Sequence, residues 1–123
     1  MATVTVILAL AAGPGFPEGS PGHRYEIELA LDPSGRPDAA AWLADPEPWR
    51  ARRIVPGQDP LRGDVQHDPD HGWSIRFYGA AAEGPDVPES HFDCGPDPVR
   101  PGEHVTVTEP DGMAFAYRVV GVG

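Results

Sequence analysis

Two short clusters carry the residue types best suited to chemistry. His67-Asp68-Pro69-Asp70-His71 places two imidazoles and two carboxylates within five residues, and His91-Phe92-Asp93-Cys94 adds an imidazole, a carboxylate and the one thiol of the chain. Zinc accepts imidazole nitrogen, thiolate sulfur and carboxylate oxygen in tetrahedral sites. Both clusters flank an expected strand, Gly72–Gly79. A chain that doubles back there would bring His67, His71, His91 and Cys94 to one ion, in a zinc-binding protein or a metal-dependent hydrolase. The spacing does not demand it. His-x3-His shares one face only on a helix, and Pro69 breaks a helix between the two rings. A nucleophilic pair of Cys94 with His91 or His104 lacks a third group to orient it, and a lone cysteine is more often a small apolar residue.

A second grouping is basic. Trp49-Arg50-Ala51-Arg52-Arg53 is the one cluster of cations in the chain. In extended backbone Arg50 and Arg52 share a face and Arg53 points away. Guanidinium forks bind carboxylate or phosphate bidentately, and Trp49 would add a stacking surface. The plainer account is that these arginines pair with the surrounding carboxylates. Other signatures of chemistry are missing. The chain has no lysine, so no Walker-type loop; no dinucleotide fingerprint follows a strand; and Ser20, Ser34, Ser74 and Ser90 sit in no nucleophile elbow.

The elements that must position these residues are strands. Arg24–Leu31 alternates cleanly, Tyr25, Ile27, Leu29 and Leu31 against Arg24, Glu26 and Glu28. Trp73, Ile75 and Phe77 alternate with Ser74, Arg76 and Tyr78 in the same way. Val105 and Val107 alternate with Thr106 and Thr108, and Glu109-Pro110-Asp111-Gly112 supplies a turn into a last strand, Met113–Val122. The change of phase from Val119 to Val120 suggests a bulge there. Val4–Ala12 reads as a first strand, since Met1–Thr3 has no basic side chain to open a signal peptide and the run is too short to span a bilayer as a helix; a residual targeting segment is the alternative. Trp49–Val55 and a short stretch near Leu61–Val65 complete the strands. Pro37–Ala44 is the helix candidate, with Asp38 at its positive end, three alanines inside, and Trp42 and Leu43 closing it onto the sheet. The segment from Arg100 to Val120 resembles the β-hairpins of many small barrels.

Composition bounds the rest. The 123 residues include 15 Gly and 16 Pro, a quarter of the chain, so the expected core is modest and the loops long. Loops are expected over 13–22, 56–71 and 80–99. A net charge of −10 disfavours nucleic acid and anionic membrane surfaces. One cysteine implies no intrachain disulfide and no oxidising compartment.

The expectation is therefore one mainly β domain over 1–123. It would be a small antiparallel open barrel or sandwich of six or seven short strands, with one short helix at about 37–44. Its expected role is a cytoplasmic binding or protein-interaction module without catalytic activity or cofactor. The contacts would be Trp49, Arg50 and Arg52, with Phe16 and Phe92 as loop anchors, and the partner a protein or a small anionic ligand. A zinc-binding protein is the alternative. A structural subunit whose edge strands pair between chains is the third reading.

Overall fold

The structure, a computed structural model, describes residues 3–13, 15–78 and 88–123. Its eight strands are β1 (Val4–Leu10), β2 (Ser20–Leu29), β3 (Arg50–Ile54), β4 (Leu61–Asp68), β5 (Gly72–Phe77), β6 (Glu89–Asp93), β7 (His104–Thr108) and β8 (Ala114–Val122); one helix, α1 (Ala39–Ala44), lies between β2 and β3. Each strand pairs antiparallel with the next, and β8 returns to pair with β1. The fold is thus a closed antiparallel barrel of eight strands, where the sequence suggested six or seven, and it has no opening between β1 and β8. Closure removes the β1 and β8 edges on which pairing between chains would depend.

The alternation seen in the sequence sets the inside and outside of the barrel. Tyr25, Ile27 and Leu29 point inward from β2, Ile75 and Phe77 from β5, Val105 and Val107 from β7, and Tyr117 and Val119 from β8, all buried. Eight strands enclose a space that side chains can fill, and these fill it. The expected bulge in β8 is present. Ile7 pairs with Gly121 but Leu8 pairs with Val119, so Val120 is the extra residue.

Three loop expectations change. The 80–99 loop contains β6, which pairs with both β5 and β7; its residues 80–87 lie outside the described residues. The 56–71 loop shrinks because β4 runs through to Asp68, which places His67 in a strand. The 13–22 loop loses Ser20, Pro21 and Gly22 to β2. Their Pro and Gly content is tolerated because the register jumps there, from Ala9 opposite Arg24 to Leu10 opposite Ser20, so Pro21 is not asked for a ladder hydrogen bond. The helix starts two residues later than expected. Asp38 is its N-cap, accepting the Ala41 N–H at 3.1 Å. Trp42 does close it onto the barrel, donating to the Val65 carbonyl at 2.9 Å, but Leu43 stands in solvent, 79 % exposed.

Candidate functional site

The cationic residues of β3 separate by strand parity. Ala51 and Arg53 point inward, Arg50 and Arg52 outward. On the outer face, β4 and β5 extend the pattern. Arg52 lies directly opposite Arg62 on β4, and the Tyr78 N–H donates to the Arg62 carbonyl at 3.0 Å, which puts Tyr78 alongside. In the next row Arg50 is opposite Asp64, Asp64 opposite Arg76, and Arg76 opposite Glu89. Four of the nine arginines thus share one face of an acidic protein. The rows differ in charge order. Signs alternate through Arg50, Asp64, Arg76 and Glu89, which stabilises neighbouring strands, whereas Arg52 and Arg62 are like charges at directly opposed positions, an arrangement that costs stability.

Internal partners satisfy part of this face. Arg50 donates to Asp64 Oδ1 at 2.8 Å and to the Tyr78 hydroxyl at 3.4 Å, and its backbone N–H donates to Glu28 Oε1 at 2.8 Å. Arg52 donates to Glu26 Oε1 through Nε at 3.0 Å and also through its terminal nitrogen. Arg62 has no ion-pair partner among the described residues. Arg50, Ala51, Arg52, Arg62 and Tyr78 line a shallow depression of about 370 Å³. Its walls offer guanidinium donors and a phenol that is 45 % exposed, a donor set suited to an oxyanion. Arg62 and Tyr78 join Arg50 and Arg52 only through strand register, which the sequence does not display.

The other expected contacts lie elsewhere. Trp49 is buried, stacked on Trp73 with ring centroids 6.0 Å apart, and donates to Asp45 Oδ2 at 2.9 Å, so it offers no stacking surface to solvent. Phe92 is not a loop anchor but an inward residue of β6, buried 6.1 Å from the Trp73 ring. Phe16 is half-buried and packs edge-on against His23 at 4.9 Å.

The zinc candidates are only partly gathered. His67, His71 and His91 line a polar groove of about 320 Å³ with Asp68, Glu89 and Arg76. Within it His71 Nδ1 is 3.3 Å from Asp68 Oδ1 and His91 Nε2 is 3.8 Å from Glu89 Oε2, while the His67 ring lies 4.5 Å from that of Trp73. Cys94 is not part of the groove. It packs against the core, and burial, followed by the nearby Asp93 charge, pushes its thiol up to about 12. Among the described residues no three His, Cys, Asp or Glu side chains are arranged to hold a metal ion.

A polar cluster that the sequence did not announce occupies the barrel interior. The Glu109 carboxylate, 7 % exposed, accepts from Tyr25 at 2.6 Å, from Tyr117 at 2.6 Å and from Arg53 Nε at 2.8 Å. The Tyr25 hydroxyl is also 2.8 Å from Ser90 Oγ. Burial, then the hydrogen bond to Glu109, holds both tyrosine hydroxyls well above the usual tyrosine range. The signal was available in part, since Tyr25, Arg53 and Tyr117 all fall on inward phases. Every member has a partner, which is the condition under which a buried polar network fixes a core. No protein family matches the chain, and no curated protein or solved structure is significantly similar to it.

Proposed function

We propose that this chain is a binding module that takes a small anionic ligand on the outer face of β3, β4 and β5, without catalysing a reaction. The observation that carries the reading is the opposed pair Arg52 and Arg62, two like charges kept side by side over a depression that Arg50 and Tyr78 complete. A stability cost retained at a concave surface is most simply explained by a ligand that relieves it.

The net charge of −10 does not conflict with an anionic ligand. At physiological ionic strength charges are screened over about 8 Å, so a small anion in the depression senses mainly the groups beside it, Arg50, Arg52 and Arg62 together with the Asp64 and Glu26 carboxylates that pair with the first two. A long polyanion would extend over the acidic remainder and be repelled, so nucleic acid is not the proposed partner. The outward charges of β2 to β5 are also the reverse of the apolar band that a lipid-facing barrel presents, and no helix among the described residues is long and apolar enough to cross a membrane.

Titrating isotopically labelled protein with a panel of small anions tests the reading. Saturable shifts confined to the amides of β3, β4, β5 and Tyr78 are expected. Shifts spread evenly over the surface, or none, would refute it. Zinc binding is the second reading: His67, His71 and His91 share one groove, and they would have to move to meet on one ion. Adding zinc to untagged protein decides it: broadening confined to the His67, His71 and His91 rings at one equivalent would support zinc, and unchanged rings would end it.

A further inference from the structure

We infer that the ligand of this face is a doubly charged tetrahedral oxyanion of the phosphate class, gripped between Arg52 and Arg62 with the Tyr78 hydroxyl as a third donor. The inference rests on the anion-binding reading above and names the chemistry of that site.

The argument starts from what already occupies the arginines. Arg50 is engaged by Asp64 and Arg52 by Glu26, each through one carboxylate oxygen. A carboxylate ligand would exchange one single-charged acceptor for another, and would gain little over the side chains tethered beside it. A dianion offers each guanidinium more charge than the resident carboxylate does, and it has enough oxygens to accept from two arginines and a phenol at once. Arg62 supplies the second half of the grip, since it has no ion-pair partner among the described residues and is placed directly across from Arg52. Tyr78, half exposed and already within 3.4 Å of Arg50, brings a hydroxyl to the same wall. Planar guanidinium forks on two adjacent strands suit an oxyanion with several equivalent oxygens better than they suit one flat carboxylate. The volume of about 370 Å³ admits a small phosphate compound and not a folded polymer.

The experiment compares inorganic phosphate, sulfate and acetate by chemical-shift titration of the intact chain, repeated with Arg62→Gln and with Arg100→Gln, an arginine away from this face. Phosphate and sulfate are expected to saturate shifts at Arg52, Arg62 and Tyr78 at concentrations at least tenfold below those needed for acetate. Arg62→Gln should weaken both dianions at least tenfold, and Arg100→Gln should change nothing. Acetate binding as tightly as phosphate at these residues would overturn the dianion inference and leave the anion-binding face standing. An absence of saturable shifts from all three would overturn both. Dianion binding that survives Arg62→Gln unchanged would overturn the grip between Arg52 and Arg62. Retained dispersion in the spectrum of each variant shows that the barrel is intact.

Discussion

At one end of the barrel the interior is closed by Trp49, Trp73 and Phe92, stacked at centroid spacings of 6.0 and 6.1 Å under the Trp42 ring of the helix. Toward the other it is closed by one carboxylate, Glu109, on which Arg53, Tyr25 and Tyr117 converge. The two ends bury comparable side chains by different physics. Aromatic packing is largely non-directional and proportional to area, so each ring contributes on its own account. The polar end is conditional: its groups are stable in the interior only because each satisfies another, and removing one exposes the rest to an unpaired burial.

Truncation separates the two ends most sharply. Trp49→Ala removes a fully packed ring and is expected to cost about 3–5 kcal/mol. Glu109→Ala is expected to cost about 3 kcal/mol by leaving the Arg53 charge and two hydroxyls without their acceptor. The ends then diverge in a second step. Adding Arg53→Met to Glu109→Ala should recover about 1 kcal/mol or more, because the stranded charge is gone. Adding Phe92→Ala to Trp49→Ala should recover nothing. Urea midpoints for the four variants measure this, and a failure of Arg53→Met to recover stability in the Glu109→Ala background would break the comparison.

Alkaline pH should act on the polar end through two tyrosines, while the buried Cys94 thiol, pushed up to about 12, adds a loss of its own from about pH 9. Tyr25 and Tyr117 hold their protons more tightly in the folded barrel than in the unfolded chain, first through burial and then through Glu109. As pH rises past the ordinary tyrosine value of about 10, the unfolded chain releases these protons first. Their contribution is therefore complete below about pH 10 and declines above it, by about 1.4 kcal/mol per pH unit for each tyrosine. Urea unfolding in steps from about pH 9 to about pH 11.5 reads the slope. With the thiol removed by Cys94→Ala, Tyr117→Phe should halve it, and a slope unchanged by that substitution would assign the alkaline loss to other groups.

The same contrast explains which parts of the fold were legible in the sequence. The strands that feed the apolar core announce themselves: Arg24–Leu31 and Trp73–Phe77 alternate as written, and Tyr25, Ile27, Leu29, Ile75 and Phe77 are buried, while Trp73 and Leu31, the latter past the end of β2, are partly so. The strand that escaped notice, β6, reads Glu-Ser-His-Phe-Asp with one apolar residue. Its inward Ser90 is there to meet the Tyr25 hydroxyl, and a strand that supplies polar groups to the interior carries no hydrophobic period. β4 was cut short for a related reason. The expected stretch ended at Val65, and the missed residues Gln66, His67 and Asp68 are all polar, with His67 on the inward phase. Closure of β8 on β1 joins residues at opposite ends of the chain, and no local pattern encodes it. The site was half legible for the same reason: Arg50 and Arg52 are neighbours in sequence, while Arg62 and Tyr78 arrive by register.

Single hydroxyls probe the polar end more gently. Tyr25→Phe keeps the ring and its edge-on contact with Tyr117 at 5.2 Å but removes the donor to Glu109. It is expected to cost about 1–2 kcal/mol, and a cost near zero would mean that Glu109 and Ser90 find other partners without strain.

The smallest expected effect is at the outer arginines, and it bears on the meaning of the whole arrangement. Arg52 and Arg53 are adjacent in sequence and differ only in the side of the barrel they face. Arg53 is held by a buried carboxylate, whereas Arg52 pairs with Glu26 in contact with solvent. Exposed ion pairs contribute about 0.2–1 kcal/mol, and Arg52→Gln also removes repulsion from Arg62. These contributions oppose, so the change in urea midpoint should correspond to about 0.5 kcal/mol or less, of either sign. Arg53→Gln should cost several times more. If Arg52→Gln destabilises the barrel as much as Arg53→Gln does, the outer arginines are holding the fold together and are not held in reserve for a ligand. A near-neutral Arg52→Gln that also loses anion binding would separate the two roles that parity assigns to neighbouring residues of one strand.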